Sequence, residues 1–252
     1  MSVDRQAGRL TRHGLARVLS KRGICSRTEA ARWIIQGRVA VAGRIINDPE
    51  YPADASSDIT IDGVRPGSAT PVHVALNKPR GLVTTTSDEQ GRETVYACFR
   101  DADLGWLAPA GRLDKASEGL LLFSNDPEWA AGITDPATGP GKTYHVQVDS
   151  TVDQALLDAL VRGVIDAGEP LMATHAALLR SGGKTSWLEI RLDEGRNRHI
   201  RRLLGAFDIR VLRLVRVAIG DLVLGDLPKG QWRLLSDEDL ELLKQAGKQP
   251  RR

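Results

Sequence analysis

Along the first sixty residues the apolar positions change period. Leu15, Val18 and Leu19 recur at helical spacing up to Gly23. Ala30, Trp33, Ile34 and Gly37 fall on one face of a second helix, and Ser26 with Glu29 three residues on is a capping-box pattern that opens it. The period then shortens to two. Val39 and Val41 alternate, Gly43-Arg44 turns, and Ile59 and Ile61 alternate before Gly63. Residues 14–63 therefore predict a compact αβ unit near the lower size limit of an independent domain. Residues 1–13, polar and basic without an apolar period, predict a flexible tail. Residues 64–71, with Pro66, Gly67 and Pro71, predict a linker.

A larger domain is expected over 72–243. Residues 73–76 read as a strand, 77–81 as a turn and 82–84 as a second strand, followed by a polar loop at 88–92 and a short helix at 94–99. The leucine-rich run 119–123 is a buried strand. Next come a short helix at 127–133 and a Gly- and Pro-rich mobile loop at 134–141. Residues 142–148 alternate as a strand. Leu156, Leu157, Leu160 and Val164 form a helical stripe, and strands at 170–180 and 185–193 flank the turn Ser181-Gly182-Gly183. A helix is read at 196–207, and a strand through Val211, Leu214, Val217 and Ile219. Ser236-Asp237-Glu238-Asp239 caps a last helix ending at Leu243, ahead of a flexible basic tail at 244–252. Strands outnumber helices and hairpin-like connections dominate. The fold class is α+β: a small αβ module followed by a domain on a mostly antiparallel sheet.

Charge alters this picture more than composition does. Hydrophobic residues make up 41% of the 252 and charged residues 27%, as in a soluble globular chain. No apolar run is long enough to span a bilayer and the N-terminus has no apolar signal region, so a cytosolic protein without membrane association is expected. Cys25 and Cys98 lie far apart, and the five histidines lack metal-ligand spacing, so neither a disulfide nor a metal site is expected. The net charge of +3 is uneven: residues 1–44 carry ten Lys or Arg against Asp4 and Glu29, a net +8 that leaves −5 for the remainder. A concentrated basic segment points to a polyanion, nucleic acid first, although a solvated basic face has the same composition. Arg17, Arg22, Arg27, Arg32 and Arg38 are the candidate phosphate ligands there. A second basic stretch, 191–216, holds eight arginines against Asp193, Glu194 and Asp208.

Candidate chemistry centres on Gly111-Arg112-Leu113-Asp114-Lys115-Ala116-Ser117-Glu118-Gly119. This charged loop between two glycines runs into the buried strand. It would present the Asp114 carboxylate over an apolar wall, although aspartate in a Gly-bounded turn also serves plain turn chemistry. Tyr144 fits equally as a cross-strand aromatic or as a stacking ring, and the arginines after Glu194 fit a solvated helix face.

The combination resolves these alternatives. Gly111-Arg112-Leu113-Asp114 with Ser117 and 119–122, then Lys142-Thr143-Tyr144, then Glu194-Gly195-Arg196-Asn197-Arg198-His199-Ile200-Arg201-Arg202-Leu203, resemble in order the motifs of the pseudouridine synthases, nearest the ribosomal-RNA branch called the RsuA/RluB group. Lys78-Pro79 with Gly81, and Leu214 with Arg216, fit the same pattern; His199 stands where the family usually has Gln, and Glu118 where it often has Ser. Gly23, Ser26-Arg27, Ala30, Ile34, Gly37, Val39, Val41 and Gly43 resemble the alpha-L RNA-binding module, with Ala42 where Asn is usual. The resemblance implies isomerisation of a uridine to pseudouridine by base flipping and cleavage and re-formation of the glycosidic bond, without a cofactor. It implies Asp114, Tyr144 and Arg201 as catalytic residues, with Arg201 as the ionic partner of Asp114. Arg112, Leu214, Lys78, Lys142, Arg196 and Arg198 are implied as substrate-binding residues. The expected partner is ribosomal RNA or a partly assembled subunit, met by a monomer. Large-subunit RNA is expected first; small-subunit RNA, or a non-catalytic assembly factor on the same fold, is the alternative. A glycosidase pairing Asp114 with Glu118 is a more distant rival.

Overall fold

The structure is a computed structural model that describes residues 12–67, 70–86 and 88–246. The expected tail positions 1–11 and 247–252, and Ser87 in the 82–92 region, lie outside the described residues. The chain forms two compact units. One comprises the described residues up to Val72 with Leu104–Ala108 and Asn125–Glu128; the other holds the remainder from His73 onward.

In the first unit β1 (His13–Gly14) pairs with β4 (Pro52–Ala53), so position 13 is strand rather than tail. Helices α1 (Leu15–Lys21) and α2 (Arg27–Ile35) pack against each other. Strands β2 (Val39–Val41), β3 (Arg44–Ile45) and β5 (Ile59–Ile61) form an antiparallel sheet in the order β3-β2-β5. The Ser26 hydroxyl accepts from the Glu29 N–H at 3.0 Å and so satisfies one of the orphan donors at the start of α2. Leu15, Leu19, Ala30, Ile34, Val39 and Ile59 close the core, with Trp33 half-buried against it.

The second unit is built on one large sheet. Its strands are β6 (His73–Lys78), β7 (Ala108–Ala110), β8 (Glu118–Ser124), β9 (Lys142–Val148), β12 (His175–Ser181), β13 (Ser186–Leu192), β14 (Val211–Ile219), β15 (Leu222–Val223) and β16 (Trp232–Leu234). The main path runs β12-β13-β9-β14-β8-β6-β16, with β15 on β14 and β7 on β8. Along this path the neighbours run antiparallel except at one place. There β8 and β14 run parallel over two residue pairs, Val215 with Glu118 and Arg216 with Gly119. Every residue of β8 is buried, as expected of a strand covered on both faces. Leu120 and Leu122 pack with Ile133 of α3 (Pro127–Thr134) and Leu243 of α6 (Asp237–Ala246). Phe123 meets Phe99 at 4.9 Å and Tyr96 at 6.0 Å, both edge-on.

Several expectations are corrected. Residues 77–78 belong to β6, because Asn77 and Lys78 pair with Leu120 and Gly119. Residues 82–84 form no strand, and only Val83 bridges to Thr94. The helix at 94–99 is a 3-10 turn, Val95–Phe99. Val164 does not continue α4 (Gln154–Arg162). Gly163 ends that helix at φ 83°, and a hairpin follows, β10 (Val164–Asp166) with β11 (Glu169–Leu171). Helix α5 spans only His199–Gly205, since Arg198 is left-handed at φ 50°. The final helix runs to Ala246, past the expected end at Leu243. No helix among the described residues is long and apolar enough to cross a membrane.

Candidate active site

The loop between β7 and β8 has few free backbone acceptors. The Leu113 carbonyl accepts from the Thr84 hydroxyl at 2.7 Å and the Lys115 carbonyl from the Gly81 N–H at 2.7 Å. The Ala116 carbonyl accepts from Arg201 Nη2 at 3.4 Å. Lys78 Nζ donates to the carbonyls of Asp114 (3.2 Å), Ser117 (2.8 Å) and Pro79 (3.1 Å). Each carbonyl from Leu113 to Ser117 therefore has a donor, which fixes the backbone that carries Asp114. Lys78 is fully buried, and burial pushes its ammonium down to about 8, against the opposing pull of Asp114. The expectation that Lys78 contacts substrate is corrected: it lies outside the pocket wall, and its donors go to backbone carbonyls, two of them in the loop.

Asp114 opens into a pocket whose wall brings together most of the predicted residues. Arg112 and Leu113 come from the loop, Lys142 and Tyr144 from β9, Arg196 and Arg198 from the turn before α5, Arg201 from α5, and Leu214 with Arg216 from β14. Tyr144 and Arg216 are paired across β9 and β14. Asp114 is the one carboxylate among the lining residues, set against Arg112, Lys142, Arg196, Arg198, Arg201 and Arg216. Tyr144 and Leu214 are almost entirely buried, so the wall beside Asp114 is partly apolar.

Arg201 makes no direct ion pair with Asp114. Its terminal nitrogens donate instead to Val211 O at 3.2 Å and Ala116 O at 3.4 Å. Burial, then Arg198, lowers its pKa, while Asp114 raises it. Arg202, beside it, is held by Asp166 and Glu169 at 2.5 and 2.7 Å, so the unpredicted β10–β11 hairpin anchors α5. Arg196 pairs with Glu194 at 2.7 Å. Glu118 does not join Asp114, and it does not face solvent. It is buried outside the pocket wall and accepts from Arg213 at 2.9 Å and Lys229 at 2.6 Å. Burial alone would raise its carboxyl, but these two partners hold it below the usual value. The two carboxylates that a glycosidase needs in one cleft are therefore not assembled.

Sequence reasoning set three residues of the wall within the motifs but gave them no role. Ser117, His199 and Arg216 are almost fully buried and line the pocket. His199 is held below its ordinary pKa, first by burial. Alternation along β14 places Leu214 and Arg216 on one face, and the pattern had named the two together.

In the first unit the candidate arginines divide. Arg22 is corrected from phosphate ligand to structural tie, since its Nη2 donates to the carbonyls of Asp54, Ala55 and Ser57, the last at 2.6 Å. Arg38 makes a forked pair with Asp62 and lies 5.3 Å over the Trp33 ring. Arg27 pairs with Glu50 and Arg32 with Glu29, both exposed and readily exchanged for phosphate. Arg17 is exposed on α1, with no ion pair among the described residues.

The family model for RNA pseudouridylate synthases matches residues 72–206, and that for the S4 domain matches residues 14–59. An RNA pseudouridine synthase of Mycobacterium leprae is 38% identical over 97% of this chain and 96% of its own. Ribosomal large subunit pseudouridine synthase B of Bacillus subtilis is 32% identical over 91% of this chain and 95% of that protein. A crystal structure of a pseudouridylate synthase superposes with a TM-score of 0.64 at 28% identity, covering 92% of this chain and 99% of that one. The carboxylate, the tyrosine and the arginine-rich rim thus sit in a chain that belongs to the RNA pseudouridine synthase family, with an S4 domain ahead of its synthase domain.

Proposed function

We propose that this chain isomerises a uridine of ribosomal RNA, in the large subunit first, and that Asp114 carries the reaction. One observation carries the proposal: a single carboxylate, Asp114, lines a pocket with six cationic side chains and the Tyr144 ring. The reaction breaks the bond from the anomeric carbon to ring nitrogen one and forms a bond to ring carbon five. The proton on that carbon leaves and the nitrogen gains one, so no electrons are exchanged. An ionised carboxylate serves either as nucleophile at the sugar or as base toward a sugar proton. Arg201, bound to the Ala116 carbonyl of the same loop, adds positive charge to the pocket wall. Tyr144 offers a ring to stack on the extracted base and a phenol for the proton at carbon five. Leu214 keeps the reacting atoms dry. Lys142, Arg196 and Arg198 hold the strand's phosphates, and Arg112 fills the space the base vacates.

The similarity to a large-subunit enzyme supports the choice of RNA. The S4 unit would grip a neighbouring stretch of RNA through Arg17, Arg27 and Arg32, and the chain would act as a monomer in the cytoplasm where ribosomal RNA is processed. The test is tritium release. Ribosomal RNA carrying tritium at carbon five of uridine loses it when the base rejoins through that carbon. The purified chain should release tritium from free RNA or from ribosomal subunits, and Asp114→Asn should release none. No release by the wild type from either form contradicts the proposal.

A further inference from the structure

Buried polar atoms without a partner are rare, and each asks for an explanation. Among the described residues they are Ser117 Oγ, both ring nitrogens of His199, Arg201 Nε and Arg216 Nη2, and all four residues line the Asp114 pocket. Arg216 stands out. It is 5% exposed, its Nε donates to the Leu120 carbonyl at 2.7 Å, and its Nη2 is left without an acceptor. It forms no ion pair among the described residues, although guanidinium groups are seldom buried without one. Its neighbours in the sheet are Tyr144 on one side and Gly119 on the other. The donor is thus held by its own Nε contact, next to the ring that would stack on a base.

We infer that Arg216 is the specificity-determining residue of the pocket: its free guanidinium edge reads a carbonyl of the extracted base, accepting uracil and rejecting cytosine. This rests on the function proposed above. A guanidinium has donors only. Uracil presents a carbonyl on each side of its ring N–H, and cytosine replaces one of them with an amino group. The two uracil carbonyls are related by the line through ring nitrogen three and ring carbon six. A half-turn about that line exchanges nitrogen one with carbon five, as the isomerisation requires, and it also exchanges the carbonyls. A fixed donor therefore meets a carbonyl before and after the turn. With cytosine, one of the two orientations sets an amino group against the guanidinium.

The test is calorimetric titration of the full chain with uridine 5′-monophosphate and with cytidine 5′-monophosphate. The wild type should bind the uridine nucleotide about tenfold or more tightly than the cytidine one. Arg216→Met should bring uridine affinity down to the cytidine level and leave cytidine affinity within about twofold, while Arg216→Lys should keep part of the preference. If Arg216→Met fails to give a cooperative melt, the lysine variant alone decides, by a reduced or an unchanged preference. Equal binding by the wild type, binding of neither nucleotide, or a preference as large in the variants as in the wild type overturns the inference. Tritium release from ribosomal RNA is read separately. A chain that turns over RNA without preferring the uridine nucleotide loses this inference alone, and a chain that turns over no RNA loses the proposed function.

Discussion

Lys78 holds the Asp114 loop from beneath. Its ammonium satisfies three carbonyls from a fully buried position, two of them in the loop that carries Asp114. Burial lowers its pKa from 10.5 to about 8. Between those values the unfolded chain binds the extra proton and the folded chain does not, so this group's contribution to stability rises with pH across that window. Activity runs the other way, because a neutral amine has too few N–H donors for three carbonyls. We predict that kcat/KM falls along an alkaline limb with a midpoint near 8 with no parallel fall in Tm, and that Lys78→Met, less active throughout, lacks that limb. The same limb in Lys78→Met would assign it to another group. Sequence could not reveal this role. A lysine before proline reads as a turn residue, and only the pairing of Lys78 with Gly119 carries it into the sheet and under the loop. Asp114, Tyr144, Arg201 and Leu214 were legible because their motifs stand in a fixed order. The contacts of Arg201 were not, because two backbone carbonyls compete for its fork.

At the scale of elements the site depends on the short parallel contact between β8 and β14. Gly119 lies at φ 102°, and a Cβ there would fall 2.2 Å from the Arg216 carbonyl oxygen and 2.8 Å from its nitrogen. Gly119→Ala should therefore cost about 3 kcal/mol or more in unfolding free energy, since both backbone strain and a backbone clash must be relieved. Chemical denaturation measures this, and a drop below about 1 kcal/mol would show that the strands can part without cost. By contrast Ser26→Ala, which removes one cap from α2, should cost about 1 kcal/mol. Strand β9 was legible from alternation, β13 from the glycine turn ahead of it and β14 from its apolar run. The β10–β11 hairpin was not: Val164 continues the helical stripe of α4, and the stop comes from Gly163, where any Cβ would meet the Leu171 carbonyl at 2.7 Å. Residues 82–84 look like a strand by composition, but Thr84 is turned to the Leu113 backbone instead of a ladder.

At the scale of the whole molecule, the proposed function gives the work of holding RNA to two sets of arginines, one on the S4 unit and one around the pocket. Binding of a phosphate by an arginine releases counterions, so removing one such arginine should lower the salt slope of binding by about one. Replacing Arg17, Arg27 and Arg32 by alanine should raise KM for ribosomal RNA about tenfold at moderate salt, flatten the salt dependence and leave kcat unchanged. A fall in kcat with KM unchanged would mean that these arginines act on the chemistry rather than on RNA capture. The charge excess of residues 1–44 was legible in the sequence, but its division was not. Arg22 and Arg38 are tied to their own fold by Ser57 and Asp62, which follow much later in the chain.

That Asp114 isomerises a uridine of ribosomal RNA is tested most directly by mapping pseudouridine in ribosomal RNA from cells that lack the protein, with rescue by the wild type or by Asp114→Asn. One pseudouridine should disappear, and it should return with the wild type and not with the variant. Every pseudouridine persisting without the protein, or full rescue by Asp114→Asn, would contradict that role.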